Sequence, residues 1–321
     1  GQIMSNYKYS VAISGTHGKT TTTSMISHVF LEADVDPTIS VGGMLDSIGG
    51  NIRVGQSEYF VTEACEYTNS FHAFNPYISV ILNVDADHLD FFSGIEEIIE
   101  SFKTFAGKLP KGGLLVVNGD MDCVDRITDG LEARVKTFGF NSNCNYSATD
   151  ISADALGHMS YTLVMDGKEE ERVDLALNGR HNVINSLSVI AVSDELGISR
   201  ADTLEGLKAC GGAHRRFEHK GTLGNVTVID DYAHHPTEIK ATLAAAKETD
   251  HNDIWCVFQP HTYTRTKALL GDFAEALHTA DHVVLTDIYA AREKDTREVH
   301  SKDLLAKILE YGTDACYFSS F

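Results

Sequence analysis

The chain has 321 residues, 43% of them hydrophobic, with 5 prolines. It is too long for one small core and too apolar to be disordered, so two domains are expected. Its 46 acidic and 26 basic side chains give a formal charge of −20, which disfavours nucleic acid as a partner because phosphate backbones call for a basic footprint. No run is long and apolar enough for a membrane span, and no signal-peptide pattern opens the chain. Six cysteines (Cys65, Cys123, Cys144, Cys210, Cys256, Cys316) are scattered without a CxxC pair. That suits a reducing cytoplasm and speaks against a disulfide framework or a zinc–thiolate site.

The first predicted strand, 11–14, enters the turn Gly15-Thr16-His17-Gly18-Lys19-Thr20-Thr21. Behind it Met25, Ile26, Val29 and Phe30 fall at helical spacing. Strand, glycine turn, Lys-Thr and helix is the layout of a phosphate-binding loop. Glycines let backbone N–H groups converge on phosphate oxygens, and the helix N-terminus adds partial positive charge. Lys19 reaches the β- and γ-phosphates as a point charge, and Thr20 offers a hydroxyl to Mg²⁺. Ile13 stands where the longer consensus has its first glycine, so the loop is a shortened variant. For His17 alone, a solvated or structural role is the plainer reading.

Residues 42–50, with two Gly-Gly pairs, read as a loop-rich stretch. The run 59–64 (YFVTEA) is a predicted strand ending at Glu63, ahead of Cys65-Glu66-Tyr67. Ligands of open α/β sheets collect at the carboxyl ends of strands, so Glu63 is a metal or catalytic candidate, against a solvated or capping acid. The run 78–84 (ISVILNV) leads directly into Asp85-Ala86-Asp87-His88. A neutral imidazole and carboxylates suit Mg²⁺ or Mn²⁺, which makes His88 a second candidate. Ile95, Ile98, Ile99, Phe102 and Phe105 mark a core-facing helix, and 114–118 (LLVVN) a fourth strand. The order favours a mostly parallel sheet flanked by helices.

From 141 to 178 the texture alternates. Predicted strands at 146–151, 159–165 and 172–177, with Asp166-Gly167 between two of them, form a small antiparallel patch. The acid run 169–171 reads as a solvated turn. A helix then runs from about Asn178 to Gly197. Asn182 and Asn185 share its first-turn face, where paired amides either read a nucleobase edge or cap the helix.

Gly211-Gly212 suggests a boundary, giving a central domain 1–212 and a second domain 213–321. In the second, strands at 226–229, 254–258 and 282–286 alternate with helices at 236–248, 266–280 and 302–309, a Rossmann-like α/β unit. No GxGxxG is present, so a dinucleotide site is not supported. Polar clusters fall at its strand ends, 230–236 and 259–265. The fold class expected is α/β: a P-loop central domain with a mostly parallel sheet and an antiparallel patch, followed by a Rossmann-like domain.

A kinase or simple NTPase needs the loop, one metal and a base. Sites spread over two domains suit a ligase. A carboxylate is a poor electrophile until phosphorylated, and bringing it to a γ-phosphate sets anion against anion, which metal and Lys19 must neutralise.

GTHGKTTTT, EACEY, NVDADH, GRHNVIN, RRFE, DDYAHHPTEI and FQPHTYTRT, in this order, resemble the Mur ligases of peptidoglycan synthesis over nearly the whole chain. The resemblance implies three small-molecule substrates: ATP, L-alanine and UDP-N-acetylmuramate. ATP phosphorylates the lactyl carboxylate, and the amine of L-alanine displaces phosphate. Carried over motif by motif, Lys19 with Gly15, Thr16, His17, Gly18, Thr20 and Thr21 holds the phosphates. Thr20, Glu63 and His88 bind Mg²⁺ or Mn²⁺, and His181, Asn182 and Asn185 hold the adenine end. Arg216 reaches the phosphates from the second domain, Asp231 takes the ribose, and Tyr232, His234 and Arg265 position the alanine. The family carries a further N-terminal UDP-binding domain and a longer C-terminal domain. The expectation is therefore an intact ATP site with a weakened or absent UDP-sugar site, and Thr262 stands where an arginine is often found. Two alternatives stay open: a relative that joins a whole tripeptide, and a nucleotide-binding module without turnover.

Overall fold

The computed structural model describes residues 1–89, 91–295 and 297–319. The first half runs β1 (Tyr9–Ser14), α1 (Lys19–Glu32), β2 (Thr38–Leu45), β3 (Gly50–Arg53), β4 (Tyr59–Glu63), β5 (Ile78–Ile81), α2 (Ile95–Ala106), β6 (Leu114–Asn118), α3 (Val124–Thr128) and β7 (Arg134–Phe138). Then come β8 (Tyr146–Ala153), β9 (His158–Met165), β10 (Lys168–Asn178), α4 (Arg180–Leu196) and α5 (Arg200–Ala209). The remainder is β11 (Glu218–Leu223), β12 (Val226–Asp230), α6 (Pro236–Lys247), β13 (Trp255–Phe258), α7 (Tyr263–Ala268), α8 (Leu270–Leu277), β14 (His282–Leu285), α9 (Ser301–Glu310) and β15 (Asp314–Tyr317).

One sheet orders β10-β9-β8-β7-β6-β5-β1-β4-β2-β3. Its middle is parallel, while β3 and the β8–β10 patch pair antiparallel. Successive residues of the central strands feed opposite cores. Val11 and Ile13 pack with α1 and α4, whereas Ala12, Ile81 and Leu115 pack with Phe102 and Phe105 of α2. Burial on both faces is why these strands read as unbroken apolar runs. Register places Ile13 beside Glu63 and Ser14 beside Ile81, so the carboxyl ends of β4, β1 and β5 lie side by side.

A second sheet, β13-β14-β15, is parallel and covered by α6, α8 and α9 through Leu243, Phe273, Leu277 and Leu304. The α/β class expected from the sequence is the class observed.

Several local expectations are corrected. Residues 42–43 lie inside β2. A Cβ on Gly42 would come 2.8 Å from Glu63 Oε2, and one on Gly43 would come 2.9 Å from Thr20 Cγ2. These glycines mark a close approach of side chains to a strand. Residues 169–171 belong to β10, where Glu171 pairs with Arg200 at 2.9 Å. The strand at 226–229 leaves the Rossmann-like unit and forms a separate ribbon with β11. Its exposed Val226 and Val228 show that it fills no core. The helix at 266–280 divides at Leu269 into α7 and α8.

Candidate active site

The β1–α1 turn has the backbone geometry that an anion cradle needs. Gly15 (φ 138°) and Gly18 (φ 85°) both sit where side chains are strained. A Cβ on Gly18 would also come 3.1 Å from Asn185 Oδ1. Among the described residues no acceptor takes the N–H groups of Gly18, Lys19, Thr20 and Thr21, the orphan donors of the helix start. Thr16 and His17 face elsewhere. Their N–H groups donate to Asn83 O (3.1 Å) and Asn83 Oδ1 (2.7 Å), and Thr16 Oγ1 accepts from Asp85 N (2.9 Å). These two residues tie the loop to the segment after β5.

Lys19 Nζ donates to Gly15 O (2.6 Å) and Glu66 Oε2 (2.9 Å). Glu66 is 1% exposed, and its Oε1 lies 3.4 Å from His88 Nε2. Burial alone would raise the Glu66 carboxyl, but the Lys19 charge and the His88 bond hold it below the ordinary glutamate value. Glu66 is the residue that sequence reasoning passed over. Glu63 was favoured because it ends the strand, yet Glu66, three residues on, joins Lys19 to His88. Glu63 Oε1 instead accepts from Gly42 N at 2.7 Å. Glu63 and Thr20 both close on the Gly42–Gly43 pair.

His17 leaves the phosphate side of the loop and spans the two lobes. Its Nε2 is 3.2 Å from Asp85 Oδ2 and its Nδ1 is 3.3 Å from Glu238 Oε1 on α6. Burial opposes a charged ring here, but the two carboxylates raise it to about 9. A second bridge crosses the same seam, where Arg265 Nη2 and Nε donate to Asp87 Oδ1 at 3.0 and 3.2 Å. Burial would raise Asp87, but Arg265, helped by His88, draws it down to about 2.

A cavity of about 180 Å³ opens on this bridge. His88, Tyr232, His234 and Arg265 line it together with Asp87 and Glu293. The structure thus brings the three alanine candidates to one space with His88. Burial lowers His234, whose Nδ1 lies 2.8 Å from Tyr232 O. His88 (φ 53°) and Thr262 (φ 66°), also on the cavity, hold backbone conformations that side chains disfavour. Such strain gathers at functional sites.

The adenine candidates are less gathered. Asn182 Nδ2 donates to Asn178 O (2.8 Å) and Asn185 Nδ2 to Asn182 Oδ1 (3.0 Å), so both amides have local partners. Asn185 packs behind Gly18, and His181 is exposed on the first turn of α4. Asp231 caps backbone, accepting from Phe217 N (2.8 Å) and Ala233 N (2.6 Å), and burial raises its carboxyl. Arg216 stands over the Tyr232 ring, 5.7 Å from its centroid, and 4.0 Å from Glu238.

The donor set fits a hard divalent cation. The Thr20 hydroxyl takes no hydrogen-bond partner among the described residues, and Glu63 keeps Oε2 uncommitted beside it on Gly42–Gly43. Oxygen donors next to a phosphate cradle are what Mg²⁺ takes.

Two family profiles match, the Mur ligase middle domain over residues 13–193 and the "Mur ligase, glutamate ligase domain" over 215–321. The chain is 53% identical to the UDP-N-acetylmuramate–L-alanine ligase of Agathobacter rectalis, over 100% of this chain and 70% of that one. It is 51% identical to the enzyme of that name from Caldanaerobacter subterraneus, with the same coverage. Among solved structures, the UDP-N-acetylmuramate–alanine ligase of Thermotoga maritima superposes with a TM-score of 0.83 at 31% identity, covering 99% of this chain and 69% of that one. A murein peptide ligase from Psychrobacter arcticus superposes with a TM-score of 0.72 at 25% identity, covering 98% and 70%. With both lobes matched and half of its residues shared with these relatives along its full length, the chain belongs to the Mur ligase family.

Proposed function

We propose that this protein is an ATP-dependent ligase that joins L-alanine to the lactyl carboxylate of UDP-N-acetylmuramate in peptidoglycan synthesis. The observation that carries the reading is the seam, where the phosphate cradle and the Tyr232–His234–Arg265 cavity meet across Glu66 and His88. We divide the chain at Gly212, with the cradle in residues 1–212 and the acceptor side in 213–321.

Lys19 and the N–H groups of residues 18–21 hold the β- and γ-phosphates of ATP, with Arg216 meeting them from the opposite lobe. His181, Asn182 and Asn185 form the adenine end, and Asp231 takes the ribose once its backbone partners yield. A lactyl carboxylate oxygen attacks the γ-phosphorus and ADP leaves. The amine nitrogen of L-alanine then attacks the acyl carbon, phosphate leaves, and the amide forms. Arg265 meets the alanine carboxylate, while His234, held neutral by burial, and Tyr232 orient the amine. Thr20, Glu63 and His88 would hold Mg²⁺ or Mn²⁺, which neutralises the negative charge of the triphosphate and carboxylate.

L-alanine is favoured over a peptide acceptor because the 50–53% identical relatives carry the L-alanine name, against 25–30% for two murein peptide ligases of solved structure. Cysteines without disulfides among the described residues suit a cytoplasmic location. The test measures phosphate release with ATP, L-alanine and UDP-N-acetylmuramate, omitting each in turn and replacing L-alanine by the tripeptide. Release should need all three. In Lys19→Ala it should vanish while the fold persists, and normal turnover in that variant would remove the loop from the mechanism.

A further inference from the structure

A cluster outside the substrate cavity has the make-up of a transition-metal site. His17 from the β1–α1 turn, Asp85 from the segment after β5 and His235 at the start of α6 each bring one ligand atom to within 4.8 Å of the others. His17 Nε2 is 3.2 Å and His235 Nδ1 3.8 Å from Asp85 Oδ2. Zinc bonds of 2.0–2.1 Å in a tetrahedron set ligand atoms about 3.3 Å apart, so the first edge already fits and the others need a small inward shift. His17 and His235 are largely sheltered from solvent.

The outer partners of both rings point the same way. Glu238 Oε1 takes the far side of His17, 3.3 Å from Nδ1. Ala86 O is 3.4 Å from His235 Nε2, and Thr237 N donates a long 3.3 Å bond to His235 Nδ1. That pattern fixes the His235 proton on Nε2 and leaves Nδ1 as an acceptor, held only by the long Thr237 bond and 3.8 Å from Asp85 Oδ2. Thr237 Oγ1 donates to Asp85 Oδ2 at 2.7 Å and orients that carboxylate. Histidines whose second nitrogen is held by a carboxylate or a backbone carbonyl are the ligands metal sites use. Imidazole with one carboxylate and an open fourth position suits Zn²⁺ better than Mg²⁺.

We propose that His17, Asp85 and His235 form a Zn²⁺ site that bridges the two lobes, distinct from the Thr20–Glu63 cation position. Zinc enters as the proton between His17 Nε2 and Asp85 leaves, and it replaces the weak Thr237 N–H bond on His235. Because two ligands come from the central lobe and one from α6, occupancy pins the second lobe against the phosphate loop. The site is independent of the substrate reading and stands whichever acceptor is ligated.

The test uses the full chain, stripped with chelator and titrated with Zn²⁺ under excess Mg²⁺ by calorimetry. Co²⁺ serves as a spectroscopic probe of four-coordinate geometry. One equivalent should bind with a Kd at or below about 1 μM. His235→Ala and Asp85→Asn should each weaken it more than about 100-fold. Glu238→Gln removes the charge behind His17 and can keep an amide oxygen for the His234 and His235 N–H groups that Glu238 also accepts, and it should weaken binding by about 10–100-fold. Circular dichroism confirms that each variant is folded. Zn²⁺ should also slow proteolysis of the 210–216 connection in the native chain and leave His235→Ala unaffected. Undiminished binding in both ligand variants, no binding at 100 μM Zn²⁺, or unchanged proteolysis of the zinc-loaded chain would overturn the proposal.

Discussion

Arg265→Met should unlock the two lobes. The methionine keeps most of the apolar stem and removes the guanidinium, with its charge, its two hydrogen bonds to Asp87 and its 3.4 Å contact with His261 Nδ1. In the native protein both side chains of this pair are shielded, at 13% and 8% exposure. Asp87 falls from 3.8 to about 2, with burial acting against the shift and the Arg265 cation driving it, aided by His88. At about 1.4 kcal/mol per pKa unit this corresponds to about 2.5 kcal/mol. Breaking one side of a buried pair costs roughly 3–5 kcal/mol because the remaining charge stays buried, so about 2–4 kcal/mol is expected. The sign follows from the depressed folded-state pKa. The stabilisation is complete above pH 3.8, the unfolded value, and is lost as pH falls through about 2, so the full effect is present at neutral pH. A cycle of Arg265→Met, Asp87→Asn and the double variant, followed by calorimetric or urea unfolding, isolates the pair. Arg265→Met should lower Tm by roughly 5 °C or more, and adding Asp87→Asn should recover part of that loss. A coupling energy below about 0.5 kcal/mol would refute the claim that this bridge holds the lobes together.

Gly18→Ala places a Cβ at φ 85° and 3.1 Å from Asn185 Oδ1, so ADP affinity should fall at least about 10-fold by calorimetry; unchanged affinity would show that the turn is not the phosphate site. Glu66→Gln removes the charge that holds Lys19 and His88, and it should lower kcat by about 10-fold or more while the far-ultraviolet spectrum stays native; wild-type kcat would reduce Glu66 to a structural role. Thr262→Gly relieves a φ of 66° and ψ of 145° that a β-branched residue disfavours. Strain of about 1–3 kcal/mol, less about 0.5–1 kcal/mol for glycine entropy, leaves a net gain near 1 kcal/mol, and a fall in Tm would contradict it.

The features legible in the sequence were those that one residue type enforces locally. The cradle could be read because Gly15, Gly18 and Lys19 must follow a strand and precede a helix, and the central strands because burial on both faces leaves only apolar side chains. Glycine inside β2 was misread for the converse reason. Gly42 and Gly43 signal a turn when taken alone, and only the packing of Glu63 and Thr20 against them shows why a strand has no side chain there. Glu66 illustrates a third kind of information. Position along β4 favours Glu63, but which acid meets Lys19 depends on how the turn after the strand folds back, where Thr68 and Asn69 take left-handed conformations with φ 56°. The His17–Asp85–Glu238 and Asp87–Arg265 contacts were beyond reach altogether, because they join residues 68 to 221 positions apart, and the links to Glu238 and Arg265 depend on how the two lobes meet. An interlobe site is therefore written in the sequence as isolated polar side chains at strand and helix ends, and its chemistry becomes legible only when the ends are brought together.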